Sequence, residues 1–262
     1  MSLPPASVRV KVRKLNIATK SEETVEEDVA VESPIEIVLN GTSIATLLAT
    51  PDQIEELSMG FLLDEGIVES KDQFVSMRHS GMTVDVNARV AGTHLEASRD
   101  FGLILTSCIS SRHSGPHERP DWPNVRSNYR VRAEDILEMI RELTRSSVQF
   151  ARTGAMHSAA IFLGNVMRAF AEDVGRHNAI DKVIGSSAKQ GIDLAEAVLA
   201  TTGRQPADLV LKTARVGIPI SVSMRGPIHS GIVAAERTGL TLVCFARGRN
   251  MNVYTSHERV IL

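Results

Sequence analysis

The sequence predicts an α/β protein, α+β overall, in two parts of different character. In residues 1–130, short segments alternate apolar and polar residues, which is typical of β-strands. In residues 131–262, such segments alternate with others in which apolar residues recur at helical spacing. We therefore expect a smaller β-rich N-terminal domain, residues 1–130, followed by a deaminase-like layered α/β/α domain, residues 131–262.

The N-terminal part is predicted to be a series of strands with one helix. Asn40-Gly41 between two of the strands indicates a tight hairpin. Thr50 is expected to cap a helix, with Pro51 in its first turn and Gly66 at its end. The acidic segment 21–28 is expected to be a connection rather than a strand. Strands are predicted at residues 8–17, 29–31, 35–39, 42–48, 74–77, 82–86 and 93–95.

A change of pattern follows the apolar segment 101–105. That segment leads into Thr106-Ser107-Cys108, and residues 109–124 then hold three prolines without any apolar period. Such a run predicts a loop, and its length favours a functional one. We place the domain boundary at its end.

The C-terminal part alternates helices and strands. A strand ends before Gly175, and Ile180, Val183 and Ile184 then share one helical face, so a glycine turn joins a strand to a helix there. Gly164-Asn165 indicates a second hairpin. Helices are also predicted at residues 133–145, 206–214 and 227–238, and strands at 156–163, 166–170, 197–200, 218–223, 240–245 and 251–254.

Composition excludes several classes of protein. The net charge of −2 and the aromatic content of 4% argue against a nucleic-acid-binding surface. No apolar run approaches the ~20 residues of a membrane span, and the first residues lack the apolar core of a signal peptide. Two cysteines do not make a disulfide framework in 262 residues, so we expect a cytoplasmic protein with reduced thiols.

The turn at Gly175 is a candidate anion site. Arg176, His177 and Asn178 occupy the first turn of the predicted helix, where cations oppose the helix dipole. A bound anion would remove that conflict. The alternative is a capped surface helix with polar residues and no ligand.

A second candidate anion site follows the last long strand. Arg247 and Arg249 flank Gly248 in the stretch Phe245-Ala246-Arg247-Gly248-Arg249-Asn250, and ligands gather at the carboxyl ends of strands in open α/β sheets. Two arginines suit a diphosphate, although a solvated basic turn explains these residues equally well.

The two cysteines have different surroundings. Cys108 lies where an apolar strand meets a polar segment that contains Arg112 and His113, and cationic neighbours lower the pKa of a thiol. A thiolate there could accept sulfane sulfur, whereas the alternative is a small buried hydrophobe. Cys244 lies inside an apolar strand and is expected to be a core residue. The zinc-deaminase patterns H-x-E and P-C-x-x-C are absent, so no metal site is predicted.

The stretch Glu172 to Gly185, EDVGRHNAIDKVIG, resembles the signature of the FdhD family, the sulfur-carrier accessory proteins of formate dehydrogenase. The resemblance runs from about Lys14 to the end of the chain. Further matching stretches are residues 106–108, 153–157, 202–204, 217–220, 239–247 and 252–254.

The resemblance implies a sulfurtransferase-type carrier. A persulfide on Cys108 would take sulfur from a cysteine desulfurase and pass it to the molybdenum cofactor, Mo-bis(molybdopterin guanine dinucleotide), before its insertion into the formate dehydrogenase catalytic subunit. The family also implies a homodimer and a cofactor site at Phe245 to Asn250. The resemblance also implies that His157 is a cofactor-binding residue, because the family has a histidine there. GDP or GTP would mimic part of the cofactor. The chain departs from the family's Cys-x-x-Cys, because Ser111 stands at the second cysteine.

Two hypotheses therefore stand. One is a sulfur carrier acting through Cys108. The other is a chaperone for the molybdenum cofactor or a nucleotide, without sulfur transfer, which the serine at position 111 favours.

Overall fold

The computed structural model describes residues 3–90, 103–104 and 122–262. Cys108, Ser111, the predicted strand 93–95 and most of the predicted loop 109–124 lie outside these residues. The described strands form a six-stranded sheet, a five-stranded sheet and two two-stranded sheets.

The chain begins with a two-stranded ribbon of β1 (Ser7–Asn16) and β2 (Ser21–Ala30). The prediction of an acidic connection at residues 21–28 is wrong, because that segment is most of β2. Its acidic residues face a basic strand: Arg9 approaches Glu26 at 3.5 Å and Arg13 approaches Glu22 at 3.7 Å. Opposite charges across a pair of strands favour pairing that single-segment propensity does not predict.

The five-stranded sheet has the order β5-β6-β3-β4-β7 and packs against helix α1 (Ile54–Asp64). The predicted hairpin at Asn40-Gly41 is confirmed, with φ angles of 50° and 80°. The strands are β3 (Ser33–Leu39), β4 (Thr42–Ala49), β5 (Phe74–Ser80), β6 (Thr83–Ala88) and β7 (Leu103–Ile104).

Helix α1 begins differently from the prediction. Its N-cap is Gln53, in a left-handed conformation with φ of 47°, and not Thr50. The hydroxyl of Thr50 instead accepts a hydrogen bond from the backbone N–H of Val174 at 3.2 Å. Thr50 therefore does not cap α1, and its side chain instead connects the N-terminal and C-terminal parts of the chain.

The six-stranded sheet has the order β10-β9-β11-β12-β13-β14. Strands β11, β12 and β13 are parallel, while β9 is antiparallel to β11 and to β10. A short pair, β8 (Val131–Arg132) and β15 (Val260–Ile261), lies apart from it. The six strands are β9 (His157–Leu163), β10 (Val166–Asp173), β11 (Ala197–Thr201), β12 (Ile220–Ser223), β13 (Thr241–Arg247) and β14 (Asn250–Val253).

Helices cover both faces of this sheet. Phe162 and Val198 pack on one face with α2, whereas Ile161 and Leu199, their neighbours along the strands, pack on the other face with α4. This alternation confirms the predicted α/β/α layering. The helices are α2 (Ala133–Ser146), α3 (Val148–Thr153), α4 (Arg176–Gln190), α5 (Ala207–Arg215) and α6 (His229–Thr238).

Helices α1 and α4 cross at backbone contact. A Cβ atom on Gly60 would lie 1.8 Å from the carbonyl oxygen of Asp181, and one on Gly185 would lie 1.9 Å from that of Glu56. Glycine is therefore required on both sides of the crossing. The contact fixes the N-terminal sheet against the signature helix, while the division into two domains stays a prediction. Within the described residues, no helix has both the length and the apolar character that crossing a membrane requires.

Candidate functional site

The predicted cofactor-binding residues lie along one edge of the six-stranded sheet. Strand β9 begins at His157, which pairs with Asp173 at the end of β10, and the start of β9 lies beside the end of β11. The parallel strands β12 and β13 end at the same edge. Four loops and the start of one strand therefore meet where α/β sheets ordinarily hold ligands.

The signature segment contributes a buried ionic network beneath this edge. The ammonium group of Lys182 lies 2.8 Å from Asp173 Oδ2, 3.1 Å from the Thr50 carbonyl oxygen and 2.5 Å from Asp52 Oδ1. Burial raises the pKa of Asp173, and the charge of Lys182 offsets part of that rise. Asp173 also accepts hydrogen bonds from the backbone N–H groups of Thr50 and Gly175.

Asn178 belongs to the same network. Its amide nitrogen donates to the Leu48 carbonyl oxygen at 2.8 Å and to Asp173 Oδ1 at 2.9 Å, and the residue is 3% exposed. Both donor hydrogens are therefore used inside the protein. Its predicted contact with a cofactor stays a prediction, but the geometry assigns it a part in holding β4 against α4.

A second buried network includes Asp181, the residue directly before Lys182 in α4. The ammonium group of Lys212 contacts Asp64 at 2.5 Å, Glu65 at 3.1 Å and Asp181 at 3.1 Å. Burial and the negative charge of Asp181 raise the pKa of Asp64 well above its usual value. Burial would lower the pKa of Lys212, but the surrounding carboxylates raise it well above 10.5. Much of the signature thus joins α1, α4 and α5.

His177 is buried at the first turn of α4. Its Nε2 lies 2.8 Å from Asp208 Oδ2, and the residue is 2% exposed. Burial would raise the pKa of Asp208, yet the hydrogen bond and the charge of His177 lower it overall. His177 Nδ1 has no hydrogen-bond partner in the part of the chain that the structure describes.

His157 lies in a strongly positive environment. Its Nδ1 is 3.3 Å from the Thr202 hydroxyl oxygen, which in turn accepts a hydrogen bond from the Ser158 N–H. Burial lowers the pKa of His157, and the positive charges of four residues lower it further. These residues are, in decreasing order of effect, Arg176, Arg225, His177 and Arg204. Charges from three separate chain segments therefore converge on one imidazole.

Two glycines allow this convergence. A Cβ atom on Gly203 would lie 3.0 Å from Arg176 Cβ, so the arginine stem packs directly over the loop after β11. The Gly203 carbonyl oxygen accepts a hydrogen bond from the Ser223 hydroxyl at 2.6 Å, which ties that loop to the end of β12. A Cβ atom on Gly226 would lie 2.7 Å from Phe245 Cζ.

Phe245 brings the second predicted site to the same edge. It has a φ of 55°, which is rare for a bulky residue, and its N–H donates to the Arg225 carbonyl oxygen at 3.1 Å. Ala246 is buried beneath α2, while Arg247 and Arg249 lie exposed on the hairpin between β13 and β14. Gly248, with φ of 61°, and the exposed Asn250 complete that hairpin.

Comparison with known proteins identifies the family. Residues 30–261 match the FdhD/NarQ family. The chain belongs to this family. Sulfur carrier protein FdhD of Methanothermobacter thermautotrophicus is 38% identical over 238 residues, which cover 90% of this chain and 93% of that protein. Sulfur carrier protein FdhD of Mycobacterium tuberculosis is 34% identical over 253 residues, 89% of this chain and 92% of that protein.

A solved structure agrees with the family assignment. The crystal structure of a formate dehydrogenase accessory protein from Desulfotalea psychrophila superimposes with a TM-score of 0.80 at 28% identity. The match covers 98% of this chain and 100% of that one. The FdhD resemblance in the sequence and the predicted fold class are thereby confirmed.

Sequence reasoning missed one residue at the edge of this FdhD/NarQ chain. Arg225 was not predicted, although it follows β12 in the same way that Arg204 follows β11. An arginine beside a glycine directly after a parallel strand was the available signal, since Gly203-Arg204 and Arg225-Gly226 share it. Gly154, with φ of 66°, ends α3.

The structure describes one of the two cysteines of this family member. Cys244 is fully buried, and burial raises the pKa of its thiol to about 12. This confirms its prediction as a core residue. Cys108, the predicted catalytic residue, lies outside the described residues. Across residues 3–90 and 122–262, no three His, Cys, Asp or Glu side chains are grouped so as to hold a metal ion. The absence of a metal stays a prediction.

Proposed function

We propose that this protein is a sulfur carrier that accepts sulfur from a cysteine desulfurase as a persulfide on Cys108. It then passes that sulfur to the molybdenum cofactor, Mo-bis(molybdopterin guanine dinucleotide), before the cofactor enters formate dehydrogenase. The burial of Cys244 is the observation that carries the proposal. The chain has two cysteines, and a fully buried thiol with a pKa of about 12 cannot supply the thiolate. If a cysteine carries the sulfur, that cysteine is therefore Cys108.

Loading requires only thiol exchange. The Cys108 thiolate attacks the outer sulfur of the donor's persulfide, forming a new S–S bond while the donor cysteine leaves as its thiolate. Arg112 and His113 follow Cys108 within five positions of the sequence, and positive charges close to a thiol favour its anionic form. The names of the relatives, sulfur carrier proteins, support the same role.

The direction of β7 supports the transfer of sulfur to a cofactor bound at the cationic edge. Strand β7 pairs in parallel with β4, and it ends at Ile104, shortly before Cys108 in the sequence. Strand β4 ends beside Thr50, whose N–H donates to Asp173 at the cationic edge. Strand β7 therefore points toward that edge at Ile104.

The cationic edge supports an anionic substrate. The cofactor carries two guanine nucleotides, so its diphosphates need positive partners, and GDP or GTP serve as partial mimics. We assign His157 and the first turn of α4, Gly175 to Asn178, to one part of this site. The hairpin from Phe245 to Asn250, which is exposed except at Ala246, supplies the other part, with Arg247 and Arg249 as its cations.

The proposal also names protein partners. A cysteine desulfurase supplies sulfur, and the formate dehydrogenase catalytic subunit receives the cofactor in the cytoplasm. A homodimer completes the assembly, and light scattering coupled to gel filtration measures its mass directly.

Mass spectrometry after incubation with a cysteine desulfurase and cysteine tests the central step. The wild type and Cys244→Ser should each gain one sulfur, whereas Cys108→Ser should gain none. Sulfur on Cys108→Ser, or none on the wild type with an active donor, would remove Cys108 as the carrier. The second outcome would leave the cofactor-chaperone hypothesis standing, and the departure at Ser111 is the observation that favours it.

A further inference from the structure

Three arginines from three chain segments lie around one histidine. Arg176 begins α4, Arg204 lies in the loop after β11, and Arg225 lies in the loop after β12. All three are close enough to His157 to lower its pKa by their charge. The three arginines are far apart in the sequence, and they lie close together because their segments end at the same edge of the sheet.

These arginines lack counter-ions. Within the described residues, none of the three guanidinium groups has a carboxylate or other hydrogen-bond acceptor as a partner. Some other arginines of this chain do pair with acids, as Arg141 does with Glu138 at 2.7 Å and Arg152 with Asp28 at 3.0 Å. Arg204 and Arg225 are exposed, so water weakens the repulsion between these like charges, and a bound anion would offset what remains of it.

Two buried nitrogen atoms point to the same conclusion. Arg176 Nε and His177 Nδ1 are both shielded from solvent, and neither has a hydrogen-bond partner among the described residues. His177 is fixed through its other nitrogen by Asp208 at 2.8 Å. Buried polar atoms without partners are uncommon in folded proteins and ordinarily mark a missing partner. Here they lie at the N-terminus of a helix, which also favours an anion.

We propose that Arg176, Arg204, Arg225 and His157 form a binding site for a diphosphate group. Guanidinium forks match the paired oxygens of phosphate, and three of them suit the charge of a diphosphate better than that of a single carboxylate. The inference deepens the proposed function and rests on it for the natural ligand, because it assigns these residues to one diphosphate of the cofactor. The hairpin cations Arg247 and Arg249 lie on a different element.

Calorimetry with inorganic pyrophosphate tests the site. Arg225→Gln should weaken binding by at least about tenfold, which corresponds to about 1.4 kcal/mol. Arg168→Gln is the matched control, because this substitution removes the same charge from an exposed arginine that lies toward the opposite end of β10. Absence of pyrophosphate binding by the wild type, or equal weakening by the two variants, would overturn the site. Arg204→Gln repeats the test if Arg225→Gln fails to fold.

Guanosine separates the diphosphate from the nucleoside. It carries no phosphate, so Arg225→Gln should leave its binding, weak or strong, unchanged. If the substitution weakened guanosine as much as pyrophosphate, the arginine would not be reading the diphosphate.

Proton uptake gives a readout that a purely structural role would not produce. The groups that face His157 are Arg176, His177, Arg204 and Arg225, with the Thr202 hydroxyl at its Nδ1. Across the strand pair, the Asp173 carboxylate is already held by Lys182. A bound diphosphate should raise the pKa of His157, so binding near neutral pH should take up protons. The heat of binding should differ between buffers of different ionisation enthalpy, and His157→Gln should abolish that difference. Equal heats for the wild type would contradict the assignment of His157.

The two proposals fail separately. Sulfur loading of the wild type without nucleotide tests Cys108 alone, and pyrophosphate binding without a desulfurase tests the arginines alone. Normal sulfur loading without anion binding would sink this inference, whereas anion binding without sulfur loading would sink the sulfur-carrier function.

Discussion

The ammonium group of Lys182 lies 2.8 Å from the carboxylate of Asp173, and both side chains are fully buried. The pair joins the signature helix to the end of β10, and through Thr50 it also joins the N-terminal part. A buried pair of this kind depends on both members, because either charge alone would lack its partner in a medium of low polarity.

Lys182→Met should therefore destabilise the protein by about 3–5 kcal/mol, since it leaves Asp173 buried without its counter-charge. Urea unfolding at equilibrium measures the loss. Lys189→Met is the control: Lys189 also contacts two carboxylates, those of Glu55 and Glu56, but its side chain is 37% exposed. It should cost less than about 1 kcal/mol. Equal losses for both would show that burial does not decide the effect.

The α1–α4 crossing gives a second prediction. Gly60→Ala should cost several times more free energy of unfolding than Gly248→Ala, because its Cβ would meet the Asp181 carbonyl oxygen at 1.8 Å. Gly248 has open space around it but a φ of 61°, so alanine there costs about 1–2 kcal/mol of backbone strain. Urea unfolding of the two variants compares them. Similar losses in the free energy of unfolding for the two variants would mean that α1 and α4 can move apart with little loss of stability.

His157 predicts how stability depends on pH. Its pKa is lowered in the folded protein, by burial first and then by the nearby cations, relative to about 6.5 in the unfolded chain. Below that value the unfolded chain binds a proton that the folded chain does not, so stability falls as the pH falls through this range. His157→Gln should lose this component, and thermal unfolding between about pH 7 and pH 5 measures it. Parallel curves for variant and wild type would contradict the prediction.

Most elements were predictable because their signals are local. Asn40-Gly41 requires the left-handed backbone of a tight turn, and Gly175 separates a strand from a helix of clear apolar period. The helix α3 and the strand β2 were missed because each depends on residues of another element. Helix α3 is short and depends on Glu172, whose carboxylate accepts hydrogen bonds from the N–H groups of Gln149 and Phe150. Strand β2 depends on the basic residues of its partner.

The candidate site was less predictable because its residues have two different tasks. The polar residues of the signature predict a ligand site, yet Asn178, Asp181 and Lys182 make buried contacts with the N-terminal part or α5. Those partners are more than a hundred residues away for Asn178, so local sequence carries no sign of them. Arg225 did carry a local signal, an arginine beside a glycine after a strand, but only the sheet order places it near His157.

The exposed hairpin gives a prediction about nucleotides. Arg247→Ala should weaken GDP binding, because an arginine–phosphate contact contributes about 1.5–3 kcal/mol as a charge-assisted hydrogen bond. Calorimetry measures the change, with Arg168→Ala as a control of equal charge. Unchanged affinity would remove Arg247 from the site without affecting the assignment of the edge arginines.

Ser111 sharpens the prediction for the sulfur carrier. The family resemblance implies a second cysteine at position 111, where this chain has a serine, so no other thiol lies near Cys108 in the sequence. The loaded form should therefore persist until an acceptor or an external thiol arrives. Ser111→Cys should shorten its lifetime, because the new thiolate can attack the Cys108 sulfur, form a local disulfide and release the outer sulfur as hydrosulfide, provided that the two Cα atoms come within about 7 Å.

Mass spectrometry at successive times after removal of the donor measures that lifetime. Ser110→Cys is the matched control, because it adds a thiol one position away from the family spacing. A persulfide that decays equally fast in the wild type and in Ser111→Cys would mean that the thiol at position 111 does not reach the bound sulfur. A persulfide that decays fastest in Ser110→Cys would assign the resolving position to residue 110 instead. Faster decay in Ser111→Cys alone would show that the serine in this chain lengthens the life of the carried sulfur, which suits a carrier that must wait for its cofactor.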